Sequence, residues 1–75
     1  MIYVDTNAMV AYINPKDSLH STAKEYLAMF AGKKLVTSML SVVELYSVFS
    51  RIMKLDDAEL EALVEFTLRK CGVSV

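Results

Sequence analysis

Apolar residues occur along this chain in two patterns, as short continuous runs and as longer stretches with a spacing of three or four. The runs at residues 1–4 and 34–37 are rich in Val, Ile, Leu and Tyr and end at polar residues. Such runs are typical of buried parallel strands. The chain therefore predicts strands at both places, and Val73–Val75 reads as the start of a third strand.

The stretches with helical spacing each follow a polar residue that can cap a helix. Pro15 and Gly32 separate them from their neighbours, since proline cannot continue a helix and glycine favours turns. The predicted helices, with their expected caps, cover residues 8–13 (Asn7), about 17–30 (Asp17 or Ser18) and about 38–54 (Ser38 or Ser41).

A fourth helix has the most complete signature in the chain. Asp56 and Glu59 have the spacing of a capping box, and acidic residues fill the first turns. Arg69 and Lys70 lie in the last turn, and Gly72 follows as the residue that ends the helix. We expect this helix to run from Asp56 to the residues just before Gly72.

The resulting order is β-α-α-β-α-α-β, which predicts an α/β protein of three-layer type with a parallel sheet and right-handed crossovers. The sheet is expected to be truncated at its third strand, because only a stub of that strand is present. Residues 1–75 are thus expected to form the N-terminal part of a single domain.

Composition narrows the class of protein. The chain has 75 residues, is 55% hydrophobic and carries a formal net charge of −1. These values exclude a disordered chain and leave no basic excess for non-specific nucleic-acid binding.

The single Cys71 excludes a disulfide scaffold and favours a reducing, cytoplasmic location. No stretch is apolar enough to predict a membrane span. The high apolar fraction of so short a chain predicts a missing partner surface, either a homo-oligomer or further sequence.

Two carboxylates are candidates for chemistry. Asp5 follows the first strand and Glu44 lies shortly after the second, and ligands bind at the carboxyl ends of parallel strands. Two converging carboxylates favour a divalent cation such as Mg²⁺ or Mn²⁺, which can activate water and neutralise a phosphate. Structural interpretations stand beside this one: Asp5 as a turn or cap residue, and Ser41 with Glu44 as a capping box. His20 is expected near the surface, and Cys71 in the core.

A phosphotransfer enzyme of the haloacid-dehalogenase type also begins with a strand and an aspartate. That chemistry requires a second Asp two positions later as general acid. Asn7 occupies that position here and cannot exchange a proton. The phosphotransfer alternative is therefore the weaker one, and a receiver domain fits less well still, since the preceding acidic pair is missing.

Three segments together resemble one known family. Val4–Asn7 followed by an apolar helix is similar to the opening of PIN-domain proteins, and Asn14–Ala23 looks like the start of their second helix. Val36–Leu45, followed by Arg51, resembles the strand–helix junction that carries the family's glutamate. The resemblance covers nearly the whole chain.

The resemblance implies a metal-dependent endoribonuclease of the VapC-like toxin kind, with an RNA substrate, an antitoxin partner and Mg²⁺ or Mn²⁺ at an acidic site. Asp5 and Glu44 would be metal ligands and catalytic acids, Asn7 and Ser38 supporting residues, and Arg51 a candidate substrate or partner contact. The family's further acidic ligands follow the third strand, so the 75-residue stretch alone is expected to have little activity. The alternative is a non-catalytic PIN-like module that dimerises or binds a partner.

Overall fold

The computed structural model describes residues 1–75 and contains four α-helices and a sheet of three parallel strands. Each strand is only two residues long. No helix is both long enough and apolar enough to cross a membrane. In chain order the elements are β1 (Ile2–Tyr3), α1 (Thr6–Ile13), α2 (His20–Met29), β2 (Leu35–Val36), α3 (Met39–Ile52), α4 (Asp57–Cys71) and β3 (Val73–Ser74).

The two faces of the sheet differ sharply in burial. The strands lie in the order β1-β2-β3, and Leu35 of β2 pairs with Ile2 on one side and with Val73 on the other. Leu35 and Val73 are buried and Ile2 is half-buried, so this row faces the core. Successive side chains along a strand point to opposite faces. The neighbouring row of Tyr3, Val36 and Ser74 therefore lies on the other face, where Tyr3 is 52% exposed.

All four helices lie on the core side of the sheet. Helix α1 contacts α2, α3 and α4 directly, which helices on opposite sides of a sheet cannot do. Successive right-handed crossovers in one direction produce this one-sided arrangement. One core cluster results, in which Met9, Leu45 and Phe49 are almost completely buried. The second helical layer expected for a three-layer fold is not formed by residues 1–75.

The fourth helix is stabilised at both ends as its sequence predicts. The Glu59 amide donates to the Asp56 carboxylate at 2.8 Å, and the Asp56 amide donates to the Glu59 carboxylate at 3.0 Å. Gly72 ends the helix with a φ of 69°, a left-handed conformation that glycine adopts without a steric penalty. The helix itself begins at Asp57, one residue after the expected start.

Two of the expected helix caps are wrong. Helix α1 begins at Thr6 and is capped by Asp5, which places Asn7 inside the helix, because β1 ends sooner than the apolar pattern indicates. Helix α2 begins at His20 without a side-chain cap, since the Asp17 carboxylate accepts the Leu19 amide in the preceding turn at 2.8 Å. Of the two candidate caps for α3, Ser38 is the cap and Ser41 lies within the first turn.

Candidate active site

The carboxyl ends of β1 and β2 lie side by side. The Val4 amide donates to the Val36 carbonyl at 2.7 Å, which continues the pairing of the two strands beyond β1. Asp5 follows directly after this bond, and Ser38 follows β2 two residues after Val36. The sheet thus brings the start of α1 and the start of α3 to one edge, as expected for neighbouring parallel strands.

Asp5 is an exposed residue with a structural role at one of its two carboxylate oxygens. Its Oδ1 accepts the Ala8 amide at 2.9 Å and caps α1. Its Oδ2 has no hydrogen-bond partner in the structure. The structural and functional interpretations of Asp5 are therefore compatible, because capping leaves one oxygen free for a ligand.

Glu44 lies in the second turn of α3 and is exposed to solvent without a hydrogen-bond partner. The expectation that Ser41 and Glu44 form a capping box is wrong, because Ser38 caps the helix by accepting the Ser41 amide at 3.1 Å. The local structural explanation for Glu44 is thereby removed. A solvent-facing carboxylate without a partner remains.

One buried hydrogen bond connects the surroundings of Asp5 and Glu44. The Thr6 hydroxyl donates to the Ser41 carbonyl at 3.2 Å. Thr6 is the neighbour of Asp5 in sequence, and Ser41 lies about one helical turn before Glu44. The bond fixes the start of α1 against the first turn of α3, so both carboxylates are carried by backbone that is held in place.

Three hydroxyl groups form a cluster where β1, β2 and α3 meet. The Tyr3 hydroxyl is hydrogen-bonded to Ser38 Oγ at 2.9 Å and to Ser41 Oγ at 2.7 Å. Ser38 Oγ also donates to Ser41 Oγ at 3.3 Å. We refer to Tyr3, Ser38 and Ser41 as the hydroxyl cluster. It includes Ser38, for which the family resemblance implies a supporting role, and it adds Tyr3 and Ser41, for which the sequence indicates no functional role.

The hydroxyl cluster changes the acidity of Tyr3. The hydrogen bond with Ser38, followed by the one with Ser41, holds the pKa of the Tyr3 phenol below its ordinary value of 10.0. Both bonds stabilise the phenolate more than the phenol. The sequence identifies Tyr3 only as a strand residue. The one feature that could have pointed to its role is its position two residues before Asp5, on the face of the strand opposite Ile2.

A cavity of about 400 Å³ opens between α1, α2 and the unpaired edge of β1. Its lining is mainly apolar, and its polar residues are Asp5, Asn7 and Thr22. Asn7 is exposed and lines the same cavity as Asp5. Glu44 does not line this cavity, whereas Tyr3 of the hydroxyl cluster does.

Arg51 lies far along the helix from the candidate site. It is exposed in the last turn of α3, seven residues after Glu44. At a rise of 1.5 Å per residue this is a displacement of about 10 Å along the helix axis. Glu44 and Arg51 lie on the same side of the helix. Arg51 is farther from the sheet edge than Glu44, however, and is not part of the acidic site itself.

His20 and Cys71 have structural surroundings. His20 is half-buried, and its Nδ1 lies 2.8 Å from the Ala11 carbonyl, which connects the start of α2 to α1. Cys71 is 6% exposed at the end of α4, and burial raises the pKa of its thiol to about 11. A buried thiol with a raised pKa is a poor nucleophile and a poor metal ligand.

The capacity of the site for a metal ion is limited. Asp5 and Glu44 offer hard carboxylate oxygens of the kind that Mg²⁺ and Mn²⁺ prefer. No group of three or more His, Cys, Asp or Glu side chains in the structure could hold a metal ion together. The donor chemistry fits a divalent cation, and the number of ligands does not amount to a complete site.

Comparison with known proteins gives one match. The family model described as PIN domain matches residues 2–75 of the chain. No curated protein and no solved structure shows significant similarity to it.

Proposed function

The chain belongs to the PIN-domain family, whose members are generally nucleases. From this premise we propose that it is part of a metal-dependent endoribonuclease. The observation that carries the proposal is the meeting of β1 and β2 at one edge, with exposed Asp5 on one side and exposed Glu44 on the other. The Thr6–Ser41 hydrogen bond links the backbone that carries these two carboxylates.

Mg²⁺ or Mn²⁺ is the proposed cofactor. The free Oδ2 of Asp5 and the carboxylate of Glu44 would hold the ion, which would supply Lewis-acid activation of water and charge neutralisation at the phosphodiester. Asn7 would contribute an amide for orienting bound water beside Asp5. Ser38 would act through the hydroxyl cluster, whose hydrogen bonds hold the first turn of α3 in position.

We infer that this stretch contributes only part of the acidic site and is weakly active or inactive alone. Two carboxylates can neutralise a cation, yet positioning both the cation and the nucleophile usually takes more ligands. The remaining acidic groups would come from chain segments or a partner outside residues 1–75. A VapC-like toxin with an antitoxin partner is the specific form of the proposal, in which Arg51 contacts RNA or that partner.

The test uses metal binding and RNA cleavage together. Mn²⁺ broadens NMR signals of nearby nuclei, so titration of this chain should broaden the amides around Asp5 and Glu44 before any others. Asp5→Asn and Glu44→Gln should each weaken that broadening and, in the active or reassembled protein, abolish Mg²⁺-dependent cleavage of RNA. Glu65→Gln, at an exposed carboxylate on α4, is the matched control. Undiminished cleavage by both site variants would show that the site is assigned wrongly.

A non-catalytic module is the second candidate function, and a specific surface favours it. The first turns of α3 expose Met39, Leu40 and Val43 at 66%, 68% and 58%, and the sheet has one face without helices. Exposed apolar area of this kind is typical of interaction surfaces. This candidate expects a dimer or a stable complex at micromolar concentration in sedimentation experiments. A monomer that binds no partner would contradict it.

A further inference from the structure

The carboxyl end of β2 contains a buried hydroxyl group without a partner. Thr37 is only 6% exposed, and its Oγ1 makes no hydrogen bond in the structure. The Thr37 amide donates to the Ser74 carbonyl at 2.8 Å, so the backbone at this position is fixed. Buried polar groups are rarely left unpaired, and each exception in a native structure calls for an explanation, such as a catalytic role or a bound water or ion.

This hydroxyl lies beside the hydroxyl cluster. Thr37 is the residue before Ser38, and its side chain adds a small contribution to the lowered pKa of Tyr3 after those of Ser38 and Ser41. The Thr37 hydroxyl is thus near the Tyr3 hydroxyl but is not hydrogen-bonded to it at regular geometry. Four hydroxyl groups therefore surround the start of α3, and one of them is unsatisfied.

The start of α3 also offers two free backbone donors. The Ser41 amide is used by the Ser38 side chain and the Val42 amide by the Ser38 carbonyl. The amides of Met39 and Leu40 make no hydrogen bond. Helix α3 is 14 residues long, and the partial positive charge at the N-terminus of such a helix favours an anion over a cation.

We propose that the amides of Met39 and Leu40 and the hydroxyl of Thr37 form a binding site for a phosphate group. The ligand is an oxyanion, because every unsatisfied group here is a donor or a hydroxyl able to donate. The proposal rests on the proposed function in one respect: the phosphate belongs to the RNA backbone, next to the bond that is cleaved. The phosphate site itself requires no metal ion.

The binding is weak without a metal ion, because no cationic side chain lies at the start of α3 and Glu44 is only a few residues away. NMR titration of the ¹⁵N-labelled chain with inorganic phosphate in EDTA is the direct test. The Met39 and Leu40 amide signals should shift and saturate with a dissociation constant in the millimolar range. Thr37→Val, which keeps the side-chain shape, should weaken phosphate binding by about tenfold, as loss of a hydrogen bond to an anion does.

Two control variants isolate the contribution of the phosphate site. Thr67→Val also removes a buried threonine hydroxyl, one that is bonded to the Leu63 carbonyl on α4, and should leave phosphate binding unchanged. Asp5→Asn should abolish metal-dependent cleavage and leave phosphate binding intact, so failure of the metal site and failure of the phosphate site are distinguishable. Thr37→Val itself should fold at least as stably as the parent chain in thermal unfolding, because the unpaired hydroxyl is gone.

A short single-stranded RNA in EDTA provides the second arm. It should shift the same two amides, and added inorganic phosphate should displace it. Absence of saturable phosphate binding, or equal affinity in the parent chain and Thr37→Val, would overturn the site. Phosphate binding without any effect of RNA on Met39 and Leu40 would overturn the assignment to the RNA backbone.

Discussion

The Thr6 hydroxyl donates a buried hydrogen bond to the Ser41 carbonyl, across 35 residues of sequence. The bond joins the start of α1 to the first turn of α3, and each of these segments carries one candidate acidic residue. The relative position of Asp5 and Glu44 thus depends on a contact that neither carboxylate makes. Single substitutions at these positions should separate their contributions to stability from their contributions to function.

Thr6→Val should reduce the free energy of unfolding by about 1 kcal/mol, since the Ser41 carbonyl loses a buried donor. In a domain of this size the melting temperature should fall by about 4–8 °C in calorimetry. Thr22→Val is the control, because Thr22 is exposed and makes no such bond. Equal melting temperatures for Thr6→Val and the parent chain would show that the connection contributes nothing.

Asp5 has two separable roles. Asp5→Ala should cost about 1 kcal/mol of unfolding free energy, because the Ala8 amide loses its cap. Asp5→Asn should stay close to the parent chain, since asparagine caps as well as aspartate does, yet it should bind Mn²⁺ more weakly. Chemical denaturation and Mn²⁺ titration of both variants give the two readouts. Full Mn²⁺ binding by Asp5→Ala would exclude this residue as a ligand.

Glu44→Gln should leave stability unchanged within about 0.5 kcal/mol, because the side chain is exposed and has no hydrogen-bond partner. The same variant should lose Mn²⁺ binding near the start of α3. This combination is the signature of a residue that binds a ligand without supporting the fold. A clear loss of stability in urea denaturation would instead indicate that Glu44 has a structural role.

The raised pKa of the Cys71 thiol predicts that the stability of the protein depends on pH in alkaline solution. Burial raises the pKa of its thiol from 9.0 to about 11, so the unfolded chain loses this proton at lower pH than the folded chain. The contribution of Cys71 to stability is complete below about pH 9 and is lost as pH rises towards 11. Denaturation curves at pH 8 and pH 10 should show a smaller alkaline loss for Cys71→Ser. An identical loss in both proteins would contradict the raised pKa.

Local sequence signals predict the ends of α4 well and the starts of α1 and α2 poorly. The Asp56–Glu59 capping box and Gly72 act within one turn of backbone, so spacing alone identifies them. At the start of α1 the residues Asp5 to Asn7 are all polar and able to cap. The choice among them depends on where β1 ends, and the Val4–Val36 hydrogen bond extends the strand pairing to the residue before Asp5. That bond is not readable from the local pattern.

The candidate site likewise has a part that the sequence predicts and a part that depends on contacts between distant residues. Strand ends and family resemblance predict Asp5 and Glu44 as site residues, and both are exposed near the carboxyl ends of β1 and β2. The sequence does not predict the hydroxyl cluster, because Tyr3 is separated from Ser38 and Ser41 by 35 and 38 residues. Tyrosine and serine are also common residues, so neither their type nor their spacing distinguishes them before the chain is folded.

The very short strands have a consequence for alignment. Strands of two residues form so few backbone hydrogen bonds that sliding one strand past its neighbour by one position would cost the ladder little. Such a slip would nevertheless exchange the faces of Ile2 and Tyr3 and expose core surface. The bonds from Tyr3 and Thr6 to Ser41 exist in one alignment alone. The side-chain hydrogen bonds to α3 therefore favour one register of β1 on β2. The same hydroxyl groups that hold the site in position also stabilise the correct alignment of the sheet.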